Sequence, residues 1–251
     1  MTGLERRWGR RAHRLRALVI EQHGVPWRVR QLVKRVLYRP RRLLKYGRLD
    51  INSASYWDAR WREEGLETWR VYPERFARIE ALVPDGAWVL DVGCGVGVLL
   101  ERLRRTRDAR VYGVDLSPAA VTLLASRGIV GAAAAAGALP FGAATFDVVI
   151  ATELLEHLAD PAAAMHELVR CLRPGGRLIV TVPNGVLGPE DEDEHMQRFT
   201  GKKLQRLFDI EGVPGAFDVV EQWTVLAHGM KPEASAVQMR TSQRTGKGDA
   251  A

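Results

Sequence analysis

The feature that most constrains this chain is a turn with three glycines between a strand and a helix. Residues 89–97 read Val-Leu-Asp-Val-Gly-Cys-Gly-Val-Gly, and they join a predicted strand to a predicted helix. A dinucleotide fingerprint would need another glycine at position 98, where this chain has Val98. The carboxylate of Asp91, just before the turn, would repel a diphosphate but would attract an ammonium or sulfonium group. The turn therefore predicts close approach of the backbone to a ligand that carries positive charge.

Strand and helix patterns alternate from Glu74 to Asp209. Such alternation predicts an α/β fold with a doubly wound, Rossmann-like and mostly parallel sheet, and it places ligands at the carboxyl ends of the strands. Ser117 followed by Pro118 is a typical helix start. The predicted strands are Trp88–Val92, Arg110–Val114, Ile129–Ala132, Asp147–Ala151 and Arg177–Val182, and the predicted helices are Glu74–Val83, Val98–Arg105, one from Pro118, Pro161–Leu172 and Thr200–Asp209.

Asp115 ends the strand that follows the glycine turn, 24 residues after Asp91. An acidic side chain at this place can accept hydrogen bonds from both hydroxyls of a ribose, as in the dinucleotide folds. The two carboxylates together predict a ligand that contains a ribose and a positive charge but no diphosphate.

Charge divides the chain into a basic arm and a mildly acidic body. Residues 1–50 carry 15 Lys and Arg against three acidic residues, a balance of +12, although the whole chain is only +7. Apolar residues recur at helical spacing within the arm, so residues 1–50 are predicted to be amphipathic and helical. Residues 51–230 are predicted to form the ligand-binding domain, and residues 231–251 a mostly disordered polar tail.

Cysteine content and hydropathy indicate the compartment. Two cysteines cannot build a disulfide framework or a four-cysteine zinc site, and no apolar stretch near the start is long enough for a signal peptide. We expect a cytoplasmic protein, attached to the inner face of the membrane if residues 1–46 bind anionic lipid. Nucleic acid would attract the same charge, but phosphate binding requires no apolar stripe. Packing of the apolar face of the arm on the body, as an extra helical layer, stays open as the alternative to membrane binding.

Several ordered motifs resemble those of class I S-adenosylmethionine-dependent methyltransferases, closest to the small-molecule branch that includes quinone biosynthesis. The resemblance covers about residues 55–222. The motifs are V-L-D-V-G-C-G-V-G at 89–97, Y-G-V-D-L-S at 112–117, A-L-P-F at 138–141, F-D-V-V at 146–149, L-L-E-H-L at 154–158 and L-R-P-G-G-R-L-I-V-T-V-P-N at 172–184.

The resemblance implies S-adenosyl-L-methionine as cofactor and assigns the residues that hold it. Asp91 and the glycine turn would face the methionyl part, and Asp115 the ribose. Tyr56 and Arg60, one helical turn apart, would hold the cofactor carboxylate. The implied cofactor-binding residues are Tyr56, Arg60, Asp91, Gly93, Cys94, Gly95, Gly97, Asp115, Leu116, Ala136, Leu139, Thr152 and Glu153.

One position departs from the pattern of the resemblance. Members commonly hold the adenine amino group with an acidic residue, and this chain has Ala135 in that place. The alanine offers no side-chain acceptor, so we expect binding weaker by about one hydrogen bond, on the order of 1 kcal/mol.

Two histidines are candidates for the chemistry at the methyl-transfer end. If the acceptor is a hydroxyl, His157 or His195 would serve as general base, or His157 would only pack against its neighbours. The acidic run 190–194 is predicted to be a solvated loop, with recognition of an amine acceptor or docking of the arm as alternatives. We expect no metal site, because the run lacks EF-hand spacing and a histidine-rich cluster.

The sequence therefore predicts a methyltransferase that acts on a small-molecule or lipid-linked acceptor at a hydroxyl oxygen. Two alternatives stay open. A nucleic-acid methyltransferase would explain the basic arm, but residues 151–155 lack the Asn/Asp-Pro-Pro-aromatic motif of base-amine enzymes. A non-catalytic cofactor-binding partner protein is favoured only by Ala135. The acceptor and the oligomeric state stay open.

Overall fold

The computed structural model describes residues 52–64, 72–185, 195–221 and 223–233. The predicted basic arm, the acidic run 190–194 and the predicted tail from residue 234 lie outside these described residues. The boundary placed after residue 50 therefore stays a prediction, and the described residues from Asn52 onward belong to one compact unit.

The described residues form seven strands, six α-helices and one short 3₁₀ helix at Leu155–His157. None of the described helices is both long and apolar enough to cross a membrane. The α-helices are α1 (Ala54–Glu64), α2 (Pro73–Leu82), α3 (Val98–Arg107), α4 (Pro118–Ser126), α5 (Pro161–Cys171) and α6 (Gly201–Ile210). The strands are β1 (Trp88–Val92), β2 (Arg110–Asp115), β3 (Val130–Ala133), β4 (Phe146–Thr152), β5 (Leu172–Pro183), β6 (Gly215–Val220) and β7 (Thr224–Met230).

The seven strands form a single sheet in the order β3-β2-β1-β4-β5-β7-β6. The first five pair in parallel, and β7 runs antiparallel to both β5 and β6. The strand order reverses between β1 and β4, which is the place where such folds bind ligands. The predicted fold class is confirmed, and β6 and β7 complete the sheet beyond the strands that the sequence analysis delimited.

Apolar side chains on the two faces of the sheet form two separate cores. Along β1, Leu90 and Val92 point into the core that also holds Met165 of α5, whereas Val89 belongs to the opposite core with Leu103 of α3. This alternation follows from the two-residue period of a strand. Helices cover both faces, so the strands read as nearly continuous apolar runs.

Most predicted elements begin and end within two residues of the observed bounds, and β5 is the main exception. It begins at Leu172 rather than at the predicted Arg177, because Leu172 pairs with Phe146 before a shift in register. Ser117 caps α4 as predicted, since its Oγ accepts the N–H of Ala120 at 3.2 Å.

Lys231, which the sequence analysis assigned to the disordered tail, is held by the fold. Its backbone N–H donates to the Gly176 carbonyl at 2.9 Å, and its Nζ donates to the carbonyls of Val169 and Leu172 at 2.8 Å each. These bonds satisfy carbonyls at the junction of α5 and β5, so the ordered part of the chain continues past Met230.

Candidate functional site

A cavity of about 400 Å³ opens at the carboxyl ends of β1, β2 and β4. Its walls come from α1, the glycine turn, the end of β2, the segment after β3 and the segment after β4. The predicted site residues that line it are Arg60, Asp91, Gly93, Cys94, Gly95, Asp115, Leu116, Ala136, Thr152, Glu153, His157 and His195. Tyr56, Gly97 and Leu139 do not line it.

Asp91 is a carboxylate buried against the cavity with an incomplete set of hydrogen bonds. Its side chain is 1% exposed, and its Oδ1 has no hydrogen-bond partner among the described residues. Burial, and secondly the charge of Asp115, raises the pKa of Asp91 to about 8. A buried acceptor without a donor is costly, so this atom fits a ligand that brings an ammonium group.

Asp115 organises the turn that the three glycines make. Its Oδ2 accepts the N–H of Gly95 and its Oδ1 accepts the N–H of Ser117, both at 2.9 Å. Burial raises the pKa of Asp115, and these backbone donors act against that rise. Each carboxylate oxygen can accept a second hydrogen bond, so the predicted contacts with two ribose hydroxyls are compatible with this geometry.

Two glycines of the turn are required by their surroundings. Gly95 has a φ of +52°, and a Cβ there would lie 2.5 Å from the ring of Trp61. Gly97 has a φ of +75° at the start of α3, and a Cβ would lie 2.2 Å from Leu124. Gly97 was predicted to contact the cofactor, but its place is at the helix start and against the core.

Cys94 is a wall residue of the cavity rather than a nucleophile. Burial, followed by the charges of Asp91 and Asp115, raises the pKa of its thiol well above the usual value. A thiol that stays protonated is a poor nucleophile, so Cys94 contributes surface and no covalent chemistry.

Small residues form the wall after β3, where the resemblance places the adenine. Ala134, Ala135, Ala136 and Gly137 all line the cavity. Leu139 was predicted to join them, but its side chain is 6% exposed and packs in the core. The physical reason is local, because the Leu139 N–H is turned toward Glu167 of α5 and donates to it at 2.7 Å.

Of the two residues on helix α1 that were predicted to hold the cofactor, one lines the cavity. Arg60 lines the cavity, with its guanidinium 5.5 Å from the centroid of the Trp57 ring. Tyr56 does not line the cavity; it is 4% exposed, and its ring packs edge-on against Trp57. The helical spacing predicts that both lie on one side of α1, but the tyrosine ring is buried in the core.

Glu156, His157 and His195 come together at the end of the cavity that the resemblance assigns to methyl transfer. Glu156 is 1% exposed, and its carboxylate lies 3.8 Å from Nε2 of His157. The His157 and His195 rings lie 5.1 Å apart, and Trp57 packs edge-on against His157 at 5.2 Å. The structure thus brings together both histidines that the sequence singled out.

The same three side chains could hold a metal ion. One ligand atom from each of Glu156, His157 and His195 lies within 4.8 Å of the other two. Two imidazoles and a carboxylate suit a divalent ion such as Zn²⁺, Mn²⁺ or Fe²⁺. The sequence analysis expected no metal site, because it did not connect residues 156 and 157 with a histidine almost forty positions later.

Trp57, Arg75 and Glu156 are among the side chains of this cavity that sequence reasoning missed. Trp57 and Arg75 lie outside the motifs, and Glu156 lies inside the L-L-E-H-L motif but was given no role. For Glu156 the adjacent histidine was a usable signal, since a carboxylate beside a histidine commonly orients it.

Comparison with known proteins agrees with the motifs. Residues 90–180 match the family described as "Methyltransferase domain". Over 143 residues the chain is 35% identical to the ubiquinone biosynthesis O-methyltransferase of Xylella fastidiosa, and the match covers 54% of this chain and 57% of that protein. It is 33% identical over 138 residues to the O-methyltransferase cnsE of Penicillium expansum, covering 50% and 48% of the two chains. The chain thus spans about half the length of the curated relatives it matches.

A solved structure shares the architecture. The S-adenosylmethionine-dependent methyltransferase of Aquifex aeolicus superposes with a TM-score of 0.56 at 16% identity, over 69% of this chain and 97% of that one. At this identity the likeness shows the fold alone. It confirms the predicted fold, and the match over residues 90–180 agrees with the family and the cofactor that the motifs predicted.

Proposed function

We propose that this chain, whose residues 90–180 belong to the class I S-adenosylmethionine-dependent methyltransferases, transfers the methyl group of that cofactor to a hydroxyl oxygen of a small-molecule or lipid-linked acceptor. The observation that carries cofactor use is the buried Oδ1 of Asp91, a residue that lines the cavity, because no group among the described residues donates a hydrogen bond to this atom. The cofactor supplies an activated methyl group when bound, so the protein mainly aligns the acceptor and excludes water.

The cavity residues divide into a cofactor end and an acceptor end. Asp91 would bind the amino group, Asp115 the ribose and Arg60 the carboxylate. Thr152 and Glu153, at the end of β4, lead into the acceptor end. We expect most of the rate increase to come from holding the acceptor oxygen in line with the bond between the methyl carbon and the sulfur.

The proton of an acceptor hydroxyl would leave through the cluster of Glu156, His157 and His195. An imidazole can take the proton directly, and Glu156 beside His157 favours the resulting imidazolium. A divalent ion held by the same three side chains would instead lower the pKa of a bound hydroxyl. The aromatic edges of Trp57, His157 and His195 favour a planar acceptor such as a phenol.

The relatives support an oxygen acceptor, because both are named as O-methyltransferases. Neither alternative function has comparable support: a nucleic-acid methyltransferase depends on the charge of residues 1–50, and a non-catalytic partner protein depends on Ala135. The lipid-linked form of the acceptor depends on the same arm, which lies outside the described residues.

The test is transfer of a labelled methyl group from the cofactor by the full-length protein. The acceptor panel holds a catechol, a simple phenol, a primary amine and a DNA duplex, each with EDTA and with added Zn²⁺, Mn²⁺ or Mg²⁺. We expect a labelled methyl ether from the catechol or the phenol, identified by mass spectrometry. Label only on the amine or the DNA, or tight cofactor binding without transfer, would contradict the proposal. Loss with EDTA and recovery with one ion would assign the cluster to metal binding.

A further inference from the structure

Arg75 is a buried cation that joins three separate parts of the fold. It lies on α2, is 4% exposed and lines the cavity. Its Nη2 donates to the Thr224 Oγ1 at 2.6 Å, and its Nε donates to Oε2 of Glu221 at 3.2 Å. Its Nη1 lies 3.3 Å from Oε1 of Glu153. One guanidinium thus connects α2, the turn between β6 and β7, and the end of β4.

Both carboxylates on this guanidinium belong to residues with a left-handed backbone. Glu153 has a φ of +49° and Glu221 has a φ of +51°, and residues other than glycine rarely adopt this backbone conformation. Such strain persists only where the surroundings enforce it, and it concentrates at functional sites. The surroundings here are the shared contacts with Arg75.

Thr181 of β5 gives Glu153 a second anchor. Its Oγ1 donates to Oε1 of Glu153 at 3.0 Å, and the Glu153 N–H donates to the Thr181 carbonyl at 3.0 Å. Oε1 therefore receives both Arg75 and Thr181, which fixes the side chain and the backbone of Glu153 together. The 3₁₀ helix that carries Glu156 and His157 begins two residues later.

A buried arginine is a poor choice if stability alone is required, because burial removes the hydration of its charge. An apolar side chain at position 75 would fill the same space without that cost. The arrangement is better explained by specificity of geometry, since the planar fork of arginine fixes the direction of several bonds at once.

We propose that Arg75 is a positioning residue, which holds the strained backbone of Glu153 and thereby sets where Glu156 and His157 lie at the acceptor end. This inference rests on the proposed function for its kinetic consequence but not for its structural one. Arg75 acts through Glu153 and the turn that follows, and takes no part in the chemistry itself.

Three variants test separately the planar guanidinium of Arg75, its positive charge and the hydroxyl of Thr181. Arg75→Met removes the guanidinium, Arg75→Lys keeps the charge but loses the fork, and Thr181→Val removes the hydroxyl without leaving a buried charge. The matched control is Arg78→Met, on the same helix, whose guanidinium pairs at 3.1 Å with Asp218 in a half-exposed position.

The position of the His157 ring can be followed by NMR without any acceptor. The signal is the ring ¹⁵N resonance of His157 in long-range correlation spectra of the full chain, and the variant His157→Gln assigns it. We expect this signal to move in Arg75→Lys and Thr181→Val and to stay in place in Arg78→Met. An unmoved signal in both test variants, or an equal shift in the control, overturns the proposal. If Arg75→Met fails to fold, the other two variants decide.

The kinetic readout is the split between kcat and KM in methyl transfer. We expect Arg75→Met to lower kcat about 30-fold and Thr181→Val about fivefold, with KM for S-adenosylmethionine changed less than about threefold. Arg75→Lys should recover part of the loss, and Arg78→Met should match the wild type. An unchanged kcat in the Arg75 variants overturns the proposal. Absence of transfer by the wild type would refute the proposed function, while the His157 signal still tests the positioning role.

Discussion

Asp91 and Asp115 lie near the carboxyl ends of two adjacent parallel strands, and their buried carboxylates differ in how many hydrogen bonds they accept. Asp115 accepts the N–H groups of Gly95 and Ser117, whereas Oδ1 of Asp91 has no partner among the described residues. The negative charge of Asp115 further disfavours ionisation of Asp91. A cation placed beside Asp91 would relieve both costs, which is the electrostatic basis of cofactor binding here.

Binding of S-adenosylhomocysteine should release a proton below pH 8. Asp91 has a pKa of about 8 without ligand, and the ammonium of the ligand favours its ionised form. Between about pH 5.5 and 7.5, where the ligand α-amino group stays largely charged, affinity should rise up to about tenfold per pH unit. Calorimetry in two buffers of different ionisation enthalpy should give about one proton released per site. No release at pH 6.5 would contradict this protonation state.

Asp91→Asn should gain stability at high pH while losing affinity. The folded pKa of Asp91 is raised above its unfolded value near 3.8, so the folded chain binds this proton more tightly. The stability it provides is complete below about pH 4 and is lost as the pH rises through about 8. Without ligand, the wild type should therefore lose more stability than Asp91→Asn between these values, as measured by urea unfolding.

Asp115→Ala should weaken binding of S-adenosylmethionine by about 1.5–3 kcal/mol, the range for lost hydrogen bonds to a charged group. The variant removes the predicted ribose contact and the acceptor for the Gly95 N–H. Asp147→Ala is the matched control, because Asp147 also accepts a backbone N–H, from Trp88 at 2.8 Å, but does not line the cavity. Calorimetry that gives equal affinities for the two variants would refute the assignment of Asp115.

The sheet could be predicted from the sequence because its signals are local. Runs of apolar residues, the Ser117–Pro118 helix start and the glycine turn each fix a nearby backbone, and their order gives the parallel topology. β7 is antiparallel and pairs with β5 through contacts far apart in sequence, which no local pattern reports. The early start of β5 at Leu172 likewise depends on its partner Phe146.

The part of the site that could be predicted from the sequence is the part formed by residues at the carboxyl ends of strands. Asp91 and Asp115 lie where their strands end, and the cavity contains both. Tyr56 and Leu139 were predicted to hold the cofactor but do not line the cavity, because a spacing gives the side of an element but not the depth at which a side chain packs. Arg75 could not be predicted from the sequence, because its contacts are with Glu153 and Glu221. These residues are far from Arg75 and from each other in the sequence.

His157→Gln and His195→Gln should lower the rate of methyl transfer to a hydroxyl by about 10²–10⁴ and leave affinity for S-adenosylhomocysteine nearly unchanged. Both residues line the acceptor end, so their loss affects proton removal and not cofactor contacts. His166→Gln is the control, because that side chain is 70% exposed on α5 and does not line the cavity. If both site variants keep full turnover, the cluster does not take up the proton.

The basic arm should bind anionic membranes. Residues 1–50 carry a balance of +12 with an apolar stripe at helical spacing, and each basic residue near lipid headgroups contributes about 1 kcal/mol. Full-length protein should float with anionic liposomes and not with neutral ones, and protein that begins at Asp50 should float with neither. Equal flotation of both proteins would exclude this role for the arm.

Ala135→Asp should tighten cofactor binding. Ala135 lines the cavity in the place where the family commonly has an acidic residue toward the adenine amino group, and its side chain offers no acceptor. A carboxylate there would add one hydrogen bond, so affinity for S-adenosylhomocysteine should improve by on the order of 1 kcal/mol. Ala138→Asp is the matched control, since Ala138 is also exposed but does not line the cavity. Inosine analogues of the ligand lack the amino group and should not distinguish Ala135→Asp from the wild type. Tighter binding of the analogue as well would mean that the new carboxylate acts on some other part of the ligand, and the adenine would then not lie against residues 134–137.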